Sequence, residues 1–489
     1  MGFTPLDTAI VLCYLAGTLA IGLAAKRFLS DITDYLVAGR GLGLFLGVAT
    51  LAATETGTVT FMYYAQLGFQ TGFAAFITGL ISGVVMLLVG YTGFIIHRFR
   101  KLELMTVPEY FERKYSRGLR VLTGVLVATG GILNMGMFLR VEGSFLVILT
   151  GIPFQYLKLA MTAILLIELL YTVVGGMLSI VVTDFIQYVA LSLGTIIVTI
   201  YCVVRVGWGS MVHAVTLQMG SQGFSPLSNP TYGWGYIVWQ VILWTAVNTC
   251  WQTTAMRTMS MKSPELSKKV FGWTGLIFLG RGMLPMLWGI AALAVLGPHA
   301  NSMNAMPTLL ARLLGPGVKG LVVAGMLAAT MSVNSSYLLG WSSIISQDII
   351  MPLRRRALSS RVQIRINRIA NVGVSVFILW WSLWYTLSGP LYLYLNLTAT
   401  IFLSGTFAAV IGGLYWKRAN LVGGYAAMIF GAGGTLGYFF LNLPATYSGF
   451  VAFGLAAVAM VVGTWIGEWR KRRGSGPPER ARGGEAAYV

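Results

Sequence analysis

Long apolar windows, separated by short polar breaks, follow one another along almost the whole chain. A membrane-spanning helix needs roughly 20 largely apolar residues, and windows of that kind are centred near residues 16, 53, 85, 133, 164, 192, 243, 283, 333, 378, 403, 432 and 457. Barrel strands would instead give short segments of alternating polarity. The pattern therefore predicts an all-α polytopic membrane protein with about thirteen transmembrane helices.

The composition agrees with this interpretation. Of the 489 residues, 56% are hydrophobic and only 10% are charged, which is too apolar for a soluble protein of this size. The last residues, GSGPPERARGGEAAYV, are polar and rich in Gly and Pro. We expect a single transmembrane domain over residues 1–473, followed by a disordered cytoplasmic tail over residues 474–489.

The net charge of +19 is distributed unevenly, because the basic residues lie in every second loop. They follow predicted helices one, three, seven, nine, eleven and thirteen: Lys26, Arg27 and Arg40; Arg98, Arg100, Lys101, Arg113, Lys114, Arg117 and Arg120; Arg257, Lys262, Lys268 and Lys269; Arg354, Arg355, Arg356, Arg361, Arg365 and Arg368; Lys417 and Arg418; and residues 470–473. By the positive-inside rule, the N-terminus is outside and the C-terminus is cytoplasmic.

The basic run from Arg354 to Arg368 has a second interpretation, as a patch for nucleic acid or anionic lipid. The orientation signal explains it more simply, because it matches the other basic loops. We expect contact with membrane lipids and no nucleic-acid partner.

Two predicted helices are interrupted by polar residues. The second contains Thr54, Glu55, Thr56, Gly57, Thr58, Val59 and Thr60, and the seventh contains Thr245, Asn248, Thr249, Gln252, Thr253 and Thr254. Such residues can simply join helices by hydrogen bonds. Matched interruptions five helices apart, however, are typical of a five-plus-five inverted repeat around a central binding site. The repeats would cover roughly residues 41–206 and 232–415.

Ionisable residues inside the apolar windows are the next candidates, because charges there are costly and usually functional. They are Glu55, Arg140, Glu142, Asp184 and Arg281. Arg140 and Glu142 are two residues apart on one helix, so they need different partners. Arg140 could pair with an acid on a neighbouring helix or contact a substrate.

The polar interruptions and the ionisable residues inside apolar windows together predict a set of substrate-binding residues: Thr58, Thr60, Arg140, Asn248, Gln252 and Arg281. Cys13, Cys202 and Cys250 all fall inside apolar windows and have no zinc or haem spacing. We find no catalytic, phosphate-binding or cofactor motif, and we expect no enzyme activity.

Four short motifs occur in order along the chain: residues 33–40 (TDYLVAGR), 106–111 (TVPEYF), 171–176 (YTVVGG) continuing through 183–187 (TDFIQ), and 416–420 (WKRAN) followed by Gly423 and Gly424. Together, and in this order, they resemble the sodium:solute symporter family. The resemblance implies a thirteen-helix carrier with an inverted-repeat core of the leucine-transporter type and alternating access around a central site.

The resemblance also implies a sodium site between the broken second helix and the ninth helix. The matching positions are Ala53 and Thr56 on the second helix, and Ala329, Ser332 and Val333 on the ninth. Family members have two adjacent hydroxyl side chains on the ninth helix, and Val333 departs from this pattern. Because Na⁺ is bound by oxygen ligands, Val333 removes one expected ligand.

Further positions match functional residues of the family. Glu55 stands where proline carriers have an aspartate connected with sodium dependence, so its carboxylate could bind the coupling cation or take up a proton. Asp184 matches an aspartate of the ion release path. Gln252 matches a glutamine near the substrate, and Arg281 replaces a lysine of the eighth helix.

Together these observations predict a secondary active transporter that couples a cation to a small polar organic solute across the cytoplasmic membrane. The expected coupling ion is Na⁺, with H⁺ as the alternative, and no other cofactor is expected. Two further alternatives stay open: an ion-independent carrier, which Val333 would favour, and a membrane sensor that acts with a separate signalling partner. The sequence leaves the solute and the oligomeric state undetermined.

Overall fold

The computed structural model describes residues 2–24, 31–354, 358–387, 389–441 and 443–474. These residues form helices joined by turns, with no β-strand among them and one isolated bridge between Leu42 and Met261. The predicted tail lies outside the described residues except for Gly474, which ends the last helix. Lys26, Arg27, Arg355 and Arg356 also lie outside them.

The helices, in chain order, are α1 Pro5–Ala24, α2 Ile32–Val37, α3 Leu44–Thr54, α4 Thr58–Thr71, α5 Phe76–Thr92, α6 Ile96–Lys101, α7 Val107–Lys114, α8 Arg117–Met135, α9 Phe138–Thr150, α10 Leu157–Tyr201, α11 Trp208–Met219, α12 Trp234–Cys250, α13 Gln252–Ser260, α14 Pro264–Leu296, α15 Ala305–Leu313, α16 Val318–Ile344, α17 Met351–Leu353, α18 Ser360–Trp384, α19 Leu391–Tyr415, α20 Leu421–Leu441 and α21 Ala445–Gly474. A π-helical stretch, Ile345–Ile350, joins α16 to α17.

All thirteen predicted window centres lie in helices. Within the described residues, nine helical spans are long and apolar enough to cross a membrane by themselves, and Leu44–Thr54 and Leu421–Thr435 are shorter apolar helices. The all-α polytopic prediction is therefore confirmed.

Two predicted helices, centred near residues 164 and 192, are the two halves of α10. The helix changes direction at Gly176, where φ is 56° and ψ is −157°. This conformation is essentially restricted to glycine. A Cβ atom at Gly176 would also lie 2.5 Å from the ring of Tyr35. The Gly-Gly sequence therefore allows the turn and the close approach of α2.

The first helix is joined to the start of α16 through one carboxylate. Asp7 Oδ1 accepts hydrogen bonds from the backbone N–H groups of Gly317, at 2.8 Å, and Gly320, at 2.7 Å. A negative group at this position also complements the positive end of the helix dipole. The contact fixes the end of the helix that carries Ser332.

Helices α4 and α14 pack with their backbones almost in contact. A Cβ atom at Gly289 would lie 1.9 Å from the carbonyl oxygen of Ala65, and one at Gly68 would lie 2.0 Å from the carbonyl oxygen of Met286. Glycines at helix crossings allow this approach in membrane proteins. The contact holds α4 against the helix that carries Arg281.

We predict that Gly289→Ala destabilises the protein by about 2 kcal/mol, because an added methyl group would collide with a backbone that cannot move aside. Gly272→Ala is the matched control on the same helix, since a Cβ atom there meets nothing within 4 Å. The measurement is the unfolding temperature of both variants in detergent. Equal unfolding temperatures would contradict the predicted contact.

Candidate solute and cation site

The predicted interruption of the second helix is a break in the backbone between α3 and α4. Glu55 caps α3 with φ −100° and ψ 2°, and Gly57 precedes α4 in an extended conformation. The N–H of Thr56 donates to the Ala53 carbonyl at 3.1 Å. The Thr60 hydroxyl accepts from the N–H of Gly57 at 3.3 Å and donates to the Glu55 carbonyl at 3.4 Å. Polar side chains of the motif thus replace helical hydrogen bonds that the break removes.

The interruption of the seventh helix lies at Trp251, whose extended backbone separates α12 from α13. The two breaks meet in space. The Glu55 carboxylate accepts hydrogen bonds from the hydroxyls of Thr253, at 2.8 Å, and Thr254, at 3.0 Å. The residue boundaries of the two repeats stay a prediction, but their interrupted helices lie side by side.

A cavity of about 80 Å³ lies next to the two breaks, with room for roughly six water molecules. It is lined by Glu55, Gly57, Val59, Thr60, Tyr63, Asn134, Phe138, Leu243, Trp244, Val247, Trp251, Arg281, Val333, Tyr337, Tyr392, Leu395, Asn396 and Ala399. Its walls are aromatic and apolar, with a few polar groups, as is typical of small-molecule sites.

Two opposite charges face this cavity, and neither has an ion-pair partner within 4 Å among the described residues. The Arg281 guanidinium carbon lies 4.3 Å from the centre of the Phe278 ring, and its Nε and Nη1 atoms lack a hydrogen-bond partner in the described chain. The Glu55 carboxylate also accepts from the Tyr337 hydroxyl at 3.3 Å. The cavity is therefore lined by the Arg281 guanidinium, which has N–H groups without a partner, and by the Glu55 carboxylate.

A second polar cluster surrounds Asp184, outside the cavity lining. This buried carboxylate accepts from the hydroxyls of Thr50 and Ser332, both at 2.5 Å, and from Arg257 at 3.4 Å. Arg257 also donates to the Ser336 hydroxyl at 2.5 Å. The cluster links α3, α10, α13 and α16 through a buried ion pair.

The predicted cation-site residues, Ala53, Thr56, Ala329 and Ser332 and including Glu55, are all buried. The Ala53 carbonyl retains a second lone pair beside its bond to Thr56. Val333 packs against the break, since a Cβ atom at Gly57 would lie 2.8 Å from its Cγ2 atom. The Val333 side chain thus presents apolar methyl groups, and no oxygen atom, to the break.

The predicted substrate residues separate into two groups. Thr60 and Arg281 line the cavity, whereas Thr58, Asn248 and Gln252 do not. The Thr58 hydroxyl donates to the Met326 carbonyl at 2.7 Å, and Gln252 accepts from the N–H of Val107 at 3.0 Å.

Arg140 lies apart from this cavity and lines a different one, near Gln66 and Asn301. Its guanidinium donates to the carbonyl groups of Ser382, at 3.5 Å, and Tyr385, at 3.4 Å. Arg140 and Glu142 do have different partners, as their spacing predicts, because Glu142 bonds to Asn334. Arg140 contacts carbonyl groups rather than an acid in the part of the chain that the structure covers.

The prediction that Arg257 lies in a cytoplasmic basic loop is wrong. Arg257 lies on α13 and is fully buried against Asp184. A signal was present in the sequence: Thr253, Thr254 and Arg257 share one face of a helix at spacings of three and four. The aromatic lining residues Tyr63, Trp244, Trp251, Tyr337 and Tyr392 were not predicted either, because buried aromatic residues carry no signal that separates a cavity wall from a core.

The model of one protein family, described as the sodium:solute symporter family, matches residues 35–431. The chain belongs to this family. Curated relatives include the osmoregulated proline transporter of Bacillus subtilis, 24% identical and covering 86% of both chains, and the sodium/pantothenate symporter of Haemophilus influenzae, 27% identical and covering 95% of this chain and 96% of the relative. The sodium/sialic acid symporter of Proteus mirabilis is 23% identical over 85% of this chain and 86% of the relative.

Solved structures show the same fold. A Na⁺-coupled sialic acid symporter in a substrate-bound, outward-open state superposes with a TM-score of 0.82, at 21% identity over 95% of this chain and 98% of that chain. MhsT in complex with L-phenylalanine gives a TM-score of 0.56, at 12% identity over 86% of this chain and 98% of that chain. This member of the symporter family is therefore a multi-pass, cation-coupled secondary transporter and not an enzyme. The proton-only, ion-independent and sensor alternatives are not favoured.

We predict that Asp184→Asn and Arg257→Gln each lower the free energy of unfolding by about 3–5 kcal/mol, because each leaves a buried charge without its partner. The double variant should lose less than the sum of the two. Chemical unfolding in detergent measures all three. Glu103→Gln is the control, since Glu103 is 67% exposed beside Arg100 and should change stability by no more than about 0.5 kcal/mol. Additive losses in the double variant would refute the coupling.

Proposed function

We propose that this symporter couples Na⁺ to the uptake of a small zwitterionic solute across the cytoplasmic membrane. The observation that carries the proposal is the pair of opposite, unpaired charges, Glu55 and Arg281, on one small cavity. Burial makes each unpaired charge unfavourable. A solute with a carboxylate and a cationic amine would neutralise both at once.

The charged groups on the cavity, Arg281 and Glu55, are complementary to the two charges of such a solute. The free N–H groups of Arg281 would bind a carboxylate with charge-assisted hydrogen bonds. Glu55 would face the amine, and the aromatic rings of Trp251 and Tyr337 near it add cation–π attraction. The small volume of the cavity, about 80 Å³, favours a small solute. A relative named as a proline transporter supports this solute class, since proline is a zwitterion.

For the cation we propose a site formed by Ala53, Thr56, Ala329 and Ser332, with Asp184 on the release path. The Ser332 hydroxyl already donates to Asp184, so an ion that leaves Ser332 meets this carboxylate next. Arg257 partly neutralises Asp184, which limits how tightly the carboxylate retains the ion.

The break between α3 and α4 would couple the two ligands. Its backbone at Ala53 and Thr56 would face the ion, while the Glu55 side chain between them faces the solute cavity. An ion bound to this backbone would hold Glu55 in place for the solute. Both ligands would then stabilise the same conformation, and each would bind more tightly with the other present.

For the orientation we propose an outside N-terminus and a cytoplasmic C-terminus. The basic residues of α6 and α7, and those that end α21, lie in segments that this arrangement places in the cytoplasm.

We predict that zwitterions raise the unfolding temperature of the purified protein in the presence of Na⁺, because a ligand that binds only the folded state stabilises it. The probes are L-proline and other small amino acids, pyruvate as a carboxylate without an amine, and glucose as a neutral solute. Arg281→Gln should weaken amino-acid binding roughly 10- to 100-fold, as the loss of a charged hydrogen bond does.

Glu55→Gln tests the contribution of the solute's amine to binding separately from that of its carboxylate. It should weaken binding of the amino acid and leave binding of pyruvate unchanged or improved, because only the amine faces this carboxylate. Equal loss of both probes in Glu55→Gln, or wild-type protein that binds pyruvate or glucose better than every zwitterion, would rule out the zwitterion proposal.

We predict that Val333→Ser tightens Na⁺ binding about tenfold, because it restores an oxygen ligand beside Ser332. Val333→Ala is the matched control, since it removes the same methyl groups without adding an oxygen. The measurement is the Na⁺ concentration that gives half of the maximal thermal stabilisation. The same change in both variants would show that Val333 lies outside the ion's coordination shell.

A further inference from the structure

Three polar side chains from three helices meet in the interior, outside the cavity lining. Glu142 lies on α9, Glu168 on α10 and Asn334 on α16, and each is at most 2% exposed. Val333, the neighbour of Asn334, does line the cavity. The cluster therefore lies behind one wall of the solute cavity.

One amide group joins the two carboxylates. Asn334 Nδ2 lies 2.8 Å from Glu142 Oε2, and 3.0 Å and 3.1 Å from the two carboxylate oxygens of Glu168. The amide has two N–H donors, so it serves one carboxylate with each. Glu142 Oε1 and Asn334 Oδ1 have no hydrogen-bond partner among the described residues. Two acceptor atoms thus remain unsatisfied in a fully buried cluster.

The surrounding structure supplies no positive charge to balance the pair. No basic group of the described chain lies within 4 Å of either carboxylate. The charged groups on the neighbouring elements have other partners: Arg140 donates to the carbonyls of Ser382 and Tyr385, and Lys319 donates to the Ala311 carbonyl. Arg257 is paired with Asp184 and Arg120 with Asp348, while Arg281 lies over the Phe278 ring and Arg368 over the Tyr35 ring. Of the acids, Asp7 accepts from Gly317 and Gly320, and Glu55 accepts from Thr253 and Thr254. Lys158, Arg205, Arg312, Arg361 and Arg365 are exposed.

Two adjacent carboxylates in a low-dielectric interior cannot both keep a full negative charge without a counter-charge. We propose that Glu142, Glu168 and Asn334 form a proton-binding site in which the two carboxyl groups share one proton. The proton removes one of the two charges.

The orientation of the amide favours a proton over a metal ion. The N–H side of Asn334 points at both carboxylates, so the positive end of the amide dipole occupies the place that a metal cation would take. A sodium ion would need the oxygen side of the amide there instead.

The site would make α16 sensitive to pH. Asn334 and Ser332 are two residues apart and so lie on opposite faces of this helix; Ser332 bonds to Asp184, and Asn334 bonds to the glutamates. Loss of the shared proton would place two negative charges around a single amide and push α9, α10 and α16 apart. The proposal goes beyond Na⁺-coupled uptake and does not depend on the identity of the solute.

The test is infrared spectroscopy of the purified full-length protein at neutral pH, which separates the C=O stretch of a carboxylic acid from the bands of a carboxylate. We expect an acid band in wild type that is weakened in the double variant E142Q/E168Q by the contribution of one carboxylic acid. Asp348→Asn is the matched control: this buried carboxylate has an ion-pair partner in Arg120 at 2.8 Å, so its removal should leave the acid band unchanged.

Asn334→Leu provides a second variant in case the double variant does not fold. It removes the donor that stabilises the charged form, so the acid band should become stronger. Saturating Na⁺ should leave the wild-type band in place. An acid band of wild-type strength in E142Q/E168Q, or one that is unaltered in Asn334→Leu, would overturn the proposal. Loss of the band on adding Na⁺ would also overturn it, by making the cluster a sodium site.

Discussion

A backbone amide or carbonyl without a partner is so unfavourable in a bilayer that helices can break only where protein or a water-filled cavity satisfies the exposed groups. In this chain, both breaks of the central helices obey that constraint; at the second break, the N–H of Trp251 donates to the Val247 carbonyl and its carbonyl accepts from the N–H of Ala255. The hydroxyl of Thr60 bonds to the backbone on either side of the first break. Hydroxyls of α13, just beyond the second break, bind the Glu55 carboxylate. The Glu55 carboxylate and these hydroxyls therefore bring the two breaks together, and the cavity lies beside them.

The buried charged side chains form three different arrangements. Asp184 and Arg257 form an ion pair supported by hydroxyl groups, which joins helices and leaves nothing for a solute to neutralise. Glu55 and Arg281 are unpaired and share a cavity, which suits a ligand that carries both charges. Glu142 and Glu168 are two acidic side chains around one amide, with no basic partner among the described residues. The second and third arrangements suit different ligands, because a different counter-charge is missing in each.

Helix α16 connects these assemblies. Ser332 faces Asp184, Asn334 faces the glutamates, and Val333 and Tyr337 line the cavity. Its N-terminal end is held to α1 by Asp7. A small rotation of this helix would alter the surroundings of the cation, the solute and the glutamate pair together, since residues on all of its faces are engaged. This gives a physical route for the coupling that the family's function requires.

By itself, the sequence determined the class and the helices of this protein. An apolar window of bilayer length has few structural alternatives to a membrane-spanning helix, and its length is a local property of the chain. Each predicted window therefore has its centre in a helix. The polar interruptions around Glu55 and Gln252 were also local signals, and the helices that contain them do break.

The tertiary structure alone decided which side chains share a site. It placed Arg257 against Asp184 rather than in a loop, joined Glu142 to Glu168 through Asn334, and kept Gln252 out of the cavity lining. These partners are 73, 192 and 166 residues apart along the chain for Arg257–Asp184, Asn334–Glu142 and Asn334–Glu168. Electrostatic pairing depends on distance in space, so a pattern of residues along one helix cannot predict it.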